Sequence, residues 1–222
     1  VKELKSPTAM VWILGRTYCT GTPEDYEAVH AIQAKYAIVP LSSYGKPYSP
    51  GAGTVDATVD MKTPPREQVN AMDGATYFKL FAELLKSNPP SPEDAPMLAK
   101  LATIGIVPGQ DFDASKLDPA VLKGIEAAPK AAQDKISNMK EAIAAGHAKL
   151  ENGWMFFKEA GVYGTGYRNR ALITWYGLGA NRLQDAVYPT SEGPDLLEKY
   201  NGANKYVMRF EKGQFPPAQG FW

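Results

Sequence analysis

Between residues 64 and 90 the chain carries one long apolar stripe and then a signal that forbids its continuation. Val69, Met72, Tyr77, Leu80, Phe81, Leu84 and Leu85 recur largely at three- and four-residue steps, the spacing that gathers side chains on one face of an α-helix. Asn88-Pro89-Pro90 follows, and two consecutive prolines remove backbone donors that a helix needs. Such a stripe must lie against other apolar surface, so the middle of the chain is expected to be a helical layer. Thr63 can cap the helix, and Pro64 and Pro65 fit its first turn, where their missing N–H groups would have no intrahelical partner. Ser91-Pro92-Glu93-Asp94 reads as a capping box for a second helix with Met97, Leu98 and Leu101, stopping at Gly105. A third, longer helix starts at Asp118-Pro119. Ile125, Ala132, Ile136, Met139 and Ile143 form its narrow buried face, Pro129 should kink it, and Gly146 closes it.

The flanks read differently. Residues 10 to 19, rich in Val, Trp, Ile and Tyr, form either a buried strand or the end of a helix that Gly15 stops. Thr22-Pro23-Glu24-Asp25 is an N-cap, a first-turn proline and two acids, giving a helix to about Lys35. Residues 36 to 41 suggest a strand. Residues 42 to 63 are crowded with Pro, Gly, Ser and Thr, a long loop suited to a functional role or to clasping a neighbour. A shorter helix is expected from Thr165 to Tyr176. Near the other end, Tyr206, Met208 and Phe210 alternate with period two, as one face of a strand, and a lone strand needs partners. A terminus ending on Phe221-Trp222 suggests an element cut short. The expected class is α+β, a largely helical middle with short strands at both ends, divided as 1–63, 64–176 and 177–222.

Composition limits the partners. Lysine plus arginine total 24 and aspartate plus glutamate 24, so the formal net charge is zero. Nucleic-acid binding rests on a positive surface that displaces counterions, so no nucleic-acid partner is expected. No run approaches the roughly 18 apolar residues of a membrane span. One cysteine, Cys19, cannot form an internal disulfide or a multi-cysteine metal site.

Gly177-Leu178-Gly179-Ala180-Asn181 looks at first like a phosphate-cradling loop. A dinucleotide fingerprint needs a third glycine, where this chain has Arg182, and must open a helix rather than follow one. A helix C-terminus is the negative end of its dipole and repels phosphate. The glycines therefore read as a helix stop, and no cofactor is expected.

Other chemistry is sparse. His30 and His147 have no ligand-spaced partners, so no metal is expected. Cys19 beside His30 reads as packing more readily than as a dyad. Among carboxylates, Asp185 stands first, then Glu192 and Asp195. Asp185 also reads as a turn residue or the ion-pair partner of Arg170. Tyr167 and Arg170, three apart on one helix face, could line a polar aromatic cleft with Asp185 and Tyr188. These four form the candidate ligand site, with Asp185 the candidate catalytic group. Enzyme and non-catalytic protein both stay open.

Several short motifs occur in one order: Tyr167-Arg168-Asn169-Arg170-Ala171, the 177–181 glycine segment, Asp185-Ala186-Val187-Tyr188-Pro189, Asn201-Gly202-Ala203-Asn204, and Phe210 through Pro217. Upstream, Asp60-Met61-Lys62-Thr63-Pro64, Asp94-Ala95-Pro96-Met97 and Gly105-Ile106-Val107-Pro108-Gly109 accompany them. Together they resemble a bacterial two-module family of unknown function, domain families 1254 (N-terminal) and 1214 (C-terminal). The resemblance implies an internal fragment of a longer parent, a C-terminal jelly-roll-like β-sandwich continuing past Trp222, and a periplasmic or secreted location. Its partners would be a homo-oligomer or the remaining segments of the parent. One functional expectation is binding or hydrolysis of a glycan or other small polar ligand between helical and β modules. The other is a structural or assembly protein without chemistry.

Overall fold

The computed structural model of the chain describes residues 5–157, 159–193, 199–218 and 220. Asp195, Phe221 and Trp222 lie outside them. The chain divides into two compact units, Val1–Glu126 and Ala127–Trp222.

In the first unit, α1 (Pro23–Gln33) begins where expected: the Thr22 side chain accepts from the Asp25 N–H, with a proline and two acids in the first turn. The single helix expected after Thr63 is two, α2 (Pro65–Asn70) and α3 (Gly74–Ser87). The break comes from Asp73, whose carboxylate takes the Thr76 N–H as a fresh N-cap and so restarts the helix. The Ser91–Asp94 capping box is present, on a 3-10 turn that leads into α4 (Ala95–Ala102).

Helix α4 ends with Gly105 at φ +82° and a hydrogen bond from the Ile106 N–H back to the Leu101 carbonyl. This is the six-to-one closure of a left-handed glycine cap. It turns Ile106 inward, where it is wholly buried. The core of the unit gathers Ala82, Ile106, Phe112 and Ile125, with Phe78, Phe81, Leu85, Leu101 and Leu117 packed around them. The inward face of α3 is thus Phe78-Phe81-Ala82-Leu85. Of the sequence stripe, Tyr77, Leu80 and Leu84 are about two-fifths exposed, because restarting the helix at Gly74 fixes its rotation against Ile125.

α5 (Pro119–Ser137) contains the division between the units and runs through Pro129 without interruption. It stops at Asn138 rather than Gly146, since the Asn138 side chain accepts from the Glu141 N–H and caps α6 (Met139–Ala144). Gly146, at φ +77°, closes α6.

Among the described residues the strands lie elsewhere than toward the ends. Residues 10–19 form no regular element, and Met10, Trp12 and Ile13 are about two-thirds exposed. Residues 36–40 and 205–210 are likewise without a strand; Val207 is 91% exposed. Alternation alone cannot hold a strand whose backbone groups find no neighbour. Among the described residues the sheet is one antiparallel hairpin, β1 (Ala148–Glu151) and β2 (Trp154–Phe157). Asn152 and Gly153 join the two strands, with φ of 52° and 78°. Two positive φ values in a two-residue loop match the right-handed twist of a hairpin, and Asn-Gly is the pair that adopts them most readily. Thr190 exchanges two backbone hydrogen bonds with Met155, at 2.7 and 3.0 Å, on the other side of β2. The fold is therefore mixed, helical with a small antiparallel sheet. Among the described residues no helix is long and apolar enough to cross a membrane.

Candidate functional site

All four sequence candidates fall in the second unit. Its last helix, α7 (Tyr167–Gly177), buries Asn169, Leu172 and Ile173. It is tied back by Arg168 to Glu141 at 3.0 Å and by the Tyr176 hydroxyl, which donates to the Ser137 carbonyl at 3.2 Å. Gly179, at φ +77°, follows the helix, as expected for a stop. Tyr167 and Arg170 share a face, and the guanidinium lies 5.3 Å from the centroid of the Tyr167 ring, a cation–π contact. Asp185 sits in a turn in which its N–H bonds the Arg182 carbonyl at 2.9 Å, and the residue is exposed. Tyr188 accepts from the Asn181 amide at 2.8 Å. Among the described residues no ion pair or side-chain hydrogen bond links Asp185 to Arg170.

Among the described residues two concavities of this unit stand out, and neither counts those four residues in its lining. The first, about 250 Å³, lies between the start of α6 and the hairpin, with Asn138, Lys140, Leu150, Met155 and Glu192 among its walls. Near it, burial and then the negative charge of Glu192 push the Tyr176 hydroxyl above its ordinary range, so it stays a neutral donor to Ser137. Glu192 is itself engaged by Lys199 at 3.8 Å.

The second concavity, about 490 Å³, has Glu159, Val162, Tyr163, Arg182, Leu183 and Gln184 in its lining. Two local features build it. Gly161, at φ +76°, brings the chain so close to Arg182 that an added Cβ would stand 3.0 Å from the Arg182 nitrogen. Asn169 is completely buried and its side-chain amide donates to the Glu159 carboxylate at 3.2 Å. The Asn169 carbonyl oxygen has no hydrogen-bond partner. Turning the amide over would aim that oxygen at a carboxylate, so the orientation is set by chemistry. A buried polar atom left unsatisfied costs about 1–3 kcal/mol, and here it accompanies the positioning of one carboxylate.

Glu159 and Arg182 thus bound one pocket with opposite charges, and among the described residues neither takes part in an ion pair. Sequence reasoning named neither as a site. Arg182 entered it only as the residue that spoils a glycine fingerprint. No local sequence signal marked Glu159, which lies two positions past the end of β2.

Comparison with known families gives one partial match. The model of a family described as a protein of unknown function (DUF1254) matches residues 1–40. Comparisons with curated proteins and with solved structures gave no match. The chain is therefore similar, over those first 40 residues, to a family whose activity is undescribed.

Proposed function

We propose that the second unit binds a small polar ligand, a glycan fragment or a molecule of similar size, in the pocket bounded by Glu159 and Arg182. The observation that carries this reading is a pair of opposite charges in the lining of one pocket, neither of which takes part in an ion pair among the described residues. The pocket lies within the usual size range for small-molecule sites, roughly 300–1,000 Å³. Glycoside hydrolysis needs two carboxyl groups flanking the bond; the described lining offers Glu159 alone, so binding is the better reading than hydrolysis. Asp185 follows Gln184 directly in the chain. It and Tyr188, Tyr167 and Arg170 are retained as contacts for a ligand larger than the pocket. The test is saturation-transfer NMR on the full chain with a panel of neutral saccharides, sugar acids and amino acids. At least one class should show transfer that Arg182→Gln abolishes; a folded chain giving none at millimolar ligand would sink the reading.

A second reading, assembly with a partner in a homo-oligomer, is favoured by one observation in the first unit. Met10, Val11, Trp12, Ile13 and Leu14 are all more than half exposed, an unusual concentration of large apolar side chains in water. Sedimentation velocity tests it. A monomer at all concentrations, unchanged by Trp12→Ser with Ile13→Ser, would remove it.

A further inference from the structure

We infer that the Glu159–Arg182 pocket selects a small zwitterion, a molecule carrying both an ammonium and a carboxylate, as amino acids do. This rests on the reading that the pocket binds a ligand, and it adds which chemistry is chosen. Arg182 presents a planar fork of donors that matches a carboxylate. Glu159, when ionised, accepts through two oxygens with about four lone-pair positions. The Asn169 amide occupies one of them, leaving acceptor capacity for an ammonium.

Selection follows from what each wrong ligand would meet. An anion reaching Arg182 is repelled by Glu159, and a cation reaching Glu159 is repelled by Arg182. A neutral sugar must displace water from both charges and returns only neutral hydrogen bonds, which are about half as strong as charge-assisted ones. A zwitterion compensates both groups at once. Discrimination of this kind comes from penalties on competitors as much as from attraction to the right ligand. Each charged residue has a local support: the buried Asn169 amide donates to the Glu159 carboxylate, and the left-handed Gly161 packs closely against the Arg182 backbone.

The probe is a homologous series, glycine, β-alanine, 4-aminobutanoate, 5-aminopentanoate and 6-aminohexanoate, titrated into the full chain by NMR or calorimetry. Butylamine, butyrate and glucose serve as singly charged and neutral controls. One chain length should bind best, at least about tenfold tighter than either singly charged control. In Glu159→Gln the zwitterion should lose its advantage over butyrate. In Arg182→Gln it should lose its advantage over butylamine. A merely structural role for either residue would weaken all ligands together and leave those ratios unchanged, which overturns the inference. Glucose binding as well as the best zwitterion also overturns it while leaving the pocket a binding site. No binding by any probe, with both variants folded, removes the inference, while the binding reading stands or falls on the wider saccharide and sugar-acid panel.

Discussion

Replacing Gly74 by alanine tests the packing of the first unit at its tightest point. A Cβ built on Gly74 would stand 1.9 Å from the Ile125 carbonyl oxygen and 2.7 Å from its carbon. Ordinary contact begins near 3.4 Å, so the start of α3 and the α5 backbone must separate by about 1.5 Å. Neither atom belongs to a flexible side chain, and α5 at Ile125 is anchored in the core. Overpacking of this kind costs about 1–3 kcal/mol. The helix-propensity gain of alanine over glycine is about 1 kcal/mol in a helix interior, and less at the first helical residue, where Gly74 stands. The upper part of the packing range applies, so the net loss should be about 2 kcal/mol. Gly124, in the same α5, has nothing within 4 Å of its added Cβ. There alanine should gain up to about 1 kcal/mol. At about 4 °C per kcal/mol, between the values for small and larger domains, thermal melting followed by circular dichroism should fall about 8 °C for Gly74→Ala. It should rise by up to about 4 °C for Gly124→Ala. If both variants melt within a degree of the parent, or both rise, the close approach at Ile125 is wrong.

Leu172, 1% exposed in α7, should cost about 2–5 kcal/mol when cut to alanine, seen as a lower urea midpoint with an unchanged slope. Asn169→Leu should leave the melting temperature unchanged or raise it, because it removes the unsatisfied buried oxygen. The same change should weaken ligand binding about tenfold by releasing Glu159, and calorimetry would detect it. The third expectation concerns pH. Hydrogen bonding and charge from Lys86 hold Asp111 below the ordinary carboxylate range, and hydrogen bonds to Asp111 and Glu83 raise Lys86 to about 12. A lowered carboxylate stabilises the fold above its unfolded value, and that contribution disappears as pH falls through the folded one. The raised lysine contributes fully below about 10.5 and loses its contribution toward 12. Melting temperatures should therefore fall below about pH 4 and above about pH 10.5, and Asp111→Asn should flatten the acid limb relative to the parent.

Where the chain carries its own punctuation, sequence and structure agree. Thr22, the Ser91–Asp94 box, Gly105 and the glycines after α7 act through hydrogen bonds within a few residues, so no distant partner is needed to read them. Asp73 and Asn138 are caps of the same kind, but each lies inside a continuous apolar stripe, and the stripe concealed the break. The strands fail for the opposite reason. Residues 10–19 and 205–210 have strand-like composition, yet a strand exists only through its neighbour, which no local pattern supplies. The Asn152-Gly153 pair carries a hairpin signal that the sequence reading passed over. The pocket was not legible, because Glu159 and Arg182 are 23 positions apart and share its lining only through the fold of the second unit. Tyr167 and Arg170, three apart on a helix, could be paired from spacing alone, and they do stack.

The most direct measurement is a ¹H–¹⁵N correlation spectrum of the full chain titrated with the tightest member of the amino-acid series. Shifts should concentrate on the backbone of residues 159–164 and 182–184 and on the Asn169 side-chain amide, and should need at least about tenfold more ligand in Arg182→Gln. Saturable shifts confined instead to Asn138, Lys140 and Leu150, or a spectrum that never moves, would contradict a ligand site between Glu159 and Arg182.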